Sequence, residues 1–182
     1  MTSMHNDVER ILFSEEEIAS KVKELGDAIT KDYAGKNLLV VGILKGSAVF
    51  MSDLIRAINL DCSIDFMRVS SYGAGTRSTG NINIELDLRC PINNYDVLIV
   101  EDILDSGNTL SCLKDILGMR NPRSLKICTL LDKPERRLAP ITADYIGYTV
   151  PNYFVVGYGL DYDEKYRNLP YVGILKPEVY TK

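Results

Sequence analysis

Glu101, Asp102 and Asp105 stand directly ahead of a Ser106-Gly107-Asn108-Thr109 turn in the stretch "VLIVEDILDSGNTL". Carboxylates accept hydrogen bonds from hydroxyl pairs and ligate hard cations, whereas a turn of small residues entering a helix converges backbone N–H groups on an anion. Acids this close to the turn would repel a phosphate lying on them. The conflict resolves for a long ligand, with its phosphate in the turn and neutral hydroxyls or a metal at the acids. A sugar phosphate has that shape.

These residues can work together only if a strand end and a helix start hold them. "YDVLIVEDIL" is a fully apolar run that becomes acidic at its end, and "TLSCLKDILGMR", from Thr109, has helical spacing. "NLLVVGIL" followed by "KGSAVFMSDLIRAI" repeats the pattern of buried strand, tight glycine turn and helix. Two such units predict an α/β fold with a central, mostly parallel sheet and helices on both faces. Ligands of such sheets bind beyond the carboxyl ends of the strands, which sets Lys45, Glu101 to Thr109 and Lys133 on one rim. "CSIDFMRVS", "NINIELDL" and "SLKICTLL" supply further strands. A helix over "FSEEEIASKVKELGDAITKDYAGK" opens with a capping box of Ser14 and Glu17 and a staple of Phe13 on Ile18, and stops at Gly35. "SYGAGTRSTG" has almost nothing to bury and is expected to be a long mobile loop. After Pro140, "ADYIGYTV", "YFVVGYGL" and "YVGILK" are short strand-like pieces suited to a small accessory lobe.

The 182 residues support one domain with a full core. A net charge of -4 and an isoelectric point near 5.1 provide no general attraction to nucleic acid or an anionic membrane. Phosphates must therefore be held locally. Cys62, Cys90, Cys112 and Cys128 form no C-x-x-C pair, and three of them lie in or beside apolar runs, which fits a reducing cytosol. Neither an apolar leader nor a run of membrane-spanning length is present, so a soluble protein is expected. The sequence lacks a Walker-type loop and a suitably placed dinucleotide fingerprint. His5, the only histidine, lies near an end expected to be unstructured and is not expected to be catalytic.

At "VLIVEDILDSGNTL" the chain resembles the type I phosphoribosyltransferases, and more narrowly their bacterial hypoxanthine(-guanine) branch. "LKGS" at 44 to 47, "SSYG" at 70 to 73, "LLDKPERR" at 130 to 137 and "FVVGYGLDYDEKYRNLPYVG" at 154 to 173 extend the likeness over nearly the whole chain. The resemblance implies transfer of the 5-phosphoribosyl group from phosphoribosyl pyrophosphate to hypoxanthine, and to guanine, giving IMP or GMP and pyrophosphate in purine salvage. It implies that Glu101 and Asp102 hold the ribose hydroxyls, directly or through magnesium, with Asp161 also associated with the metal. Asp105 matches the base proposed to act at the purine N7. Asp105, Ser106, Gly107, Asn108 and Thr109 match the 5′-phosphate loop. Lys45 and Gly46 match the pyrophosphate loop, whose entering peptide is often cis, and Arg167 matches a pyrophosphate contact. For the purine, Lys133 matches the 6-oxo contact, Phe154 the stacking ring and Val155 the backbone edge contact, with Asp161 nearby. Ser71 and Tyr72 open a lid running to Gly80. The accessory hood is expected from the N-terminal segment and much of 141–182, within a cytoplasmic homodimer or homotetramer. In one departure, "IELDLRCPINN" at 84 to 94 carries Glu85 where relatives usually have a lysine.

Two other readings compete. A regulator that senses the same ligand while binding nucleic acid is opposed by the acidic isoelectric point and the absence of a Lys/Arg-rich face. A transferase for xanthine or adenine is the other, and Lys133 favours a 6-oxopurine over adenine.

Overall fold

The computed structural model describes residues 4–71 and 82–181. A 3-10 turn (Met4–Asp7) leads into β1 (Val8–Phe13), α1 (Glu15–Asp32), β2 (Leu38–Leu44), α2 (Ala48–Ala57), β3 (Cys62–Ser71) and β4 (Ile82–Leu86). There follow β5 (Asp96–Leu104), α3 (Asn108–Gly118), β6 (Ser124–Asp132), β7 (Tyr145–Thr149), β8 (Val155–Val156), β9 (Val172–Leu175) and the short α4 (Pro177–Tyr180).

The apolar runs build a six-stranded sheet in the order β4-β3-β2-β5-β6-β7, parallel except for β4, which runs antiparallel to β3 at one edge. Alternation along each strand divides the core in two. Leu38, Val40, Leu98 and Val100 face α1 and α2, whereas Leu39, Val41, Val97 and Ile99 face Leu110, Leu113 and Leu117 of α3. Strands buried on both faces have no polar side, which is why they read as continuous apolar runs.

Helix α1 carries the expected capping box: Ser14 Oγ accepts from Glu17 N–H at 3.2 Å, and the Glu17 carboxylate accepts from Ser14 N–H at 2.8 Å. Phe13 and Ile18 join one apolar cluster, where Phe13 also stacks on Tyr148 at 3.9 Å. Gly35, at φ +74°, ends the turn after the helix.

Strands β1, β9 and β8 form a separate antiparallel sheet. One piece expected in the accessory lobe lies elsewhere, because "ADYIGYTV" forms β7 and extends the central sheet beside β6. Asp144 fixes its start by exchanging hydrogen bonds with the backbone of Ile127. A short alternating strand has the same pattern at the edge of either sheet, and the partner decides. The N-terminal end also departs from expectation. Residues 4–7 are an ordered turn, and a ring nitrogen of His5 bonds the Tyr171 hydroxyl at 2.7 Å. The loop expected as a lid, from Tyr72 to Gly80, lies outside the described residues. Among those residues the four cysteines are free thiols, and no helix is long and apolar enough to cross a membrane.

Candidate active site

Strands β2, β5 and β6 lie side by side and end on one rim, where Leu104 pairs with Asp132 and the Lys133 N–H bonds the Leu104 carbonyl at 2.9 Å. The peptide from Leu44 to Lys45 is cis. Gly46 packs so closely on the acidic strand that a Cβ there would lie 1.9 Å from Asp102 Oδ2. From the other side, Gly159, at φ +100°, presses on Gly46; a Cβ would stand 2.1 Å from the Gly46 carbonyl oxygen. Three segments distant in sequence thus stack in order, the Gly159 backbone on the Gly46 backbone and Gly46 on the Asp102 carboxylate.

Glu101 and Asp102 are partly exposed at the end of β5. Burial, with the Asp102 charge second, raises the Glu101 carboxyl well above the usual range. Burial likewise raises Asp102 to about 6, opposed by the Ile103 N–H bonded to its carboxylate and by the Arg167 charge. Carboxyls raised chiefly by burial gain from a partner, which a cation or a diol would supply.

The turn after Asp105 leads directly into α3. Gly107 is its N-cap at φ +80°, and no side chain caps it, so the positive end of the helix is left to a ligand. The helix starts at Asn108, one residue earlier than the spacing suggests. Gly46, Glu101, Asp102, Asp105, Ser106, Gly107 and Thr109 line a cavity of about 260 Å³ here. Asn108 is not part of that lining; its N–H lies 3.5 Å from Ser106 Oγ.

A second cavity, of about 540 Å³, shares Asp102, Ile103 and Asp105 with the first and continues to Lys133, Phe154, Val155, Leu160, Asp161 and Tyr180. Lys133 is only 7% exposed and donates to the Tyr153 carbonyl at 2.6 Å. Burial lowers its pKa, while the Asp105 carboxylate opposes the shift. Phe154 remains 38% exposed beside it. Asp105 therefore lies where the cavity at the helix start and the cavity of Lys133 and Phe154 join.

Other expected residues are placed differently. The Lys45 ammonium pairs with Glu164 at 2.8 Å and lines neither cavity. Arg167 donates to the Gly159 carbonyl at 2.8 Å and pairs with Asp161 at 2.9 Å, beside a separate groove bordered by α1 and α2. Its Nε is buried and, among the described residues, has no hydrogen-bond partner. Glu101, Asp102 and Asp161 do not gather into a ready-made metal cluster; among the described residues no three of His, Cys, Asp and Glu do. Ser71 is the exposed last residue of β3, and Tyr72 lies outside the described residues. Glu85 stands 4.0 Å from Arg68 on the neighbouring strand.

Sequence reasoning missed Glu164, Tyr180 and the paired arginines after Lys133. Arg136 Nε donates to the Asp105 carboxylate at 3.0 Å. Arg137 donates to the carbonyls of Leu104, Asp105 and Ile141 and pairs with Asp132, fixing the ends of β5 and β6 together. The doubled arginine just past a strand end was the available signal.

With this geometry, comparison with known proteins is decisive as to family. The phosphoribosyl transferase domain model matches residues 10–163, and the chain belongs to that family, with the type I phosphoribosyltransferase fold. It is 60% identical over 178 residues to the hypoxanthine-guanine phosphoribosyltransferase of Staphylococcus aureus (strain Mu50), covering 98% of this chain and 99% of that protein. It is also 56% identical over 180 residues to the bifunctional protein TilS/HprT of Listeria innocua; those residues are 99% of this chain but only 28% of that relative's length. A crystal structure of a hypoxanthine phosphoribosyltransferase from Staphylococcus aureus superposes with a TM-score of 0.97 at 59% identity, over 100% of both chains.

Proposed function

We propose that this chain transfers the 5-phosphoribosyl group of phosphoribosyl pyrophosphate to hypoxanthine, and to guanine, releasing IMP or GMP and pyrophosphate. The observation that carries the reading is the pair of cavities meeting at Asp102 and Asp105, one ending in an uncapped helix start and the other in Lys133 and Phe154. In this reading the 5′-phosphate lies on the turn from Asp105 to Thr109, held by backbone N–H groups and the hydroxyls of Ser106 and Thr109. Asn108 contributes through its backbone. The ribose hydroxyls lie against Glu101 and Asp102, and the purine fills the second cavity against Phe154 with its edge on Val155.

Lys133 is the specificity element. One N–H of its ammonium is taken by the Tyr153 carbonyl, and two remain to donate to a 6-oxo oxygen. The 6-amino group of adenine would face that cation donor to donor.

As the bond from C1 to pyrophosphate lengthens, positive charge develops on the ribose, and the carboxylates of Glu101 and Asp102 stabilise it in a confined site. The purine nitrogen attacks C1 while Asp105 accepts the N7 proton, with Arg136 orienting its carboxylate. The turn at Gly46, packed on the Asp102 carboxylate, receives the pyrophosphate oxygens, and Lys45 and Arg167 turn from Glu164 and Asp161 toward the leaving group. Asp102 and Asp161 line one cavity and suit magnesium, a hard cation that needs only one or two carboxylates when substrate oxygens complete its shell. Bound there with substrate, it would neutralise the pyrophosphate charge. The same reading carries a cytoplasmic homodimer or homotetramer, which light scattering of the purified chain would check.

Incubating the protein with magnesium, phosphoribosyl pyrophosphate and hypoxanthine should yield IMP and pyrophosphate in equal amounts by chromatography and a coupled pyrophosphate assay. Consumption of phosphoribosyl pyrophosphate that does not depend on a base would contradict the reading.

A further inference from the structure

The C-terminal turn brings a third aromatic ring to the second cavity. Phe154 immediately precedes β8, and its carbonyl accepts the Leu175 N–H at 2.9 Å, so the antiparallel pairing of β8 with β9 returns the chain to Phe154. Helix α4 then folds back, held by the Thr181 N–H and hydroxyl, which both bond the Pro177 carbonyl, at 2.9 and 2.6 Å. The turn lays Tyr180 on Phe154 with ring centroids 4.6 Å apart and planes 18° apart, an offset stack. Tyr162 stands nearly perpendicular to Phe154, with centroids 5.6 Å apart and planes at 85°.

A ring has two faces. Tyr180 covers one face of Phe154, yet Phe154 remains 38% exposed. With one face stacked on Tyr180, the ring still lines the cavity that holds Ile103 and Lys133. An unsupported surface phenylalanine would lose rotational freedom each time a planar ligand stacked on it; a ring already clamped has lost it beforehand.

We propose that Tyr180 is a positioning residue for the base: it fixes the plane of Phe154 so that the free face is presented to the incoming purine. The proposal rests on the base-site reading above. It assigns the last helical turn to recognition of the planar substrate and gives it no contact with phosphoribosyl pyrophosphate, whose 5′-phosphate is expected in the other cavity.

The test uses the full chain with Tyr180→Phe, Tyr180→Leu, Tyr180→Ala and Phe154→Ala, each checked by thermal melting. Loss of one stacking pair corresponds to roughly 3- to 10-fold in binding. Tyr180→Leu and Tyr180→Ala should raise the KM for hypoxanthine by about that factor, with KM for phosphoribosyl pyrophosphate and kcat within about twofold. Tyr180→Phe, which keeps the ring, should behave as wild type. An unchanged hypoxanthine KM, an equal rise for both substrates, failure of phenylalanine to restore the KM, or loss of the cooperative melt in Tyr180→Leu would each overturn the proposal, the last because the ring would then serve the fold. If Phe154→Ala leaves the hypoxanthine KM unchanged, the base-site reading itself falls. If it raises that KM while Tyr180→Leu does not, only the role of Tyr180 falls.

Discussion

Asp105 and Thr109 border the same turn, yet their substitutions should separate chemistry from binding. Asp105→Asn keeps the shape and an acceptor for Arg136 but removes the charge that would take up a proton. Single-turnover measurements should show a rate lower by roughly 10²- to 10⁴-fold with calorimetric affinity for phosphoribosyl pyrophosphate nearly unchanged. Thr109→Ala should do the reverse, weakening that affinity more than it slows the chemical step. Lost affinity in Asp105→Asn with an intact chemical rate would make Asp105 part of the phosphate cradle. Asp102 makes a different statement, about stability. Its carboxyl is raised to about 6 by burial, so the folded state holds its proton more tightly than the unfolded chain does. The folded state is then favoured below the unfolded value near 4, and that advantage is lost as pH rises from about 4 through 6. In chelator-treated protein, Asp102→Asn should be more stable than wild type at pH 8, by on the order of 1–3 kcal/mol, with the difference shrinking toward pH 4. Denaturant unfolding at the two pH values checks it, and a difference independent of pH would contradict it.

Elements place these groups, and the sequence announces some of them better than others. The capping box at Ser14 was legible because its residues lie within one turn of each other, and Ser14→Ala should lower the melting free energy by about 1 kcal/mol without altering kinetics. The apolar strands were legible from their length and flanking glycines. Their partners were not: β7 has the same alternating pattern whichever sheet it joins, and only the Asp144 contacts with Ile127 and the free edge of β6 decide. The meeting of the turn after β2 with the 157–160 loop was equally hidden, since it depends on two glycines 113 positions apart by number, Gly46 and Gly159. An alanine at Gly159 would take a left-handed φ and overlap the Gly46 carbonyl. Gly159→Ala should cost at least about 1–3 kcal/mol from backbone strain alone and raise KM for phosphoribosyl pyrophosphate. A variant with wild-type melting and KM would show that the two loops do not bear on each other.

At the scale of the whole molecule, the acidic strand end and the turn following it could be read from the sequence as one unit because they are contiguous. The cavity beside them was reached only through the family resemblance, which named Lys133, Phe154 and Val155 but not Tyr180. It is assembled from β5, the start of the segment after β6, the residues around β8 and the C-terminal turn, and no local pattern records that Lys133, Phe154 and Tyr180 share a wall. Nor did residue types reveal that Lys45 and Arg167 pair with Glu164 and Asp161, since a cation's partner is a matter of tertiary geometry. The central claim is that this second wall selects a 6-oxopurine to receive the phosphoribosyl group. Its most direct test is to incubate the chain with magnesium, phosphoribosyl pyrophosphate and, separately, hypoxanthine, guanine, xanthine and adenine, resolving the nucleotides by chromatography. The account predicts rapid formation of IMP and GMP and little or no AMP; AMP as the preferred product, or no nucleotide from any base, would contradict it.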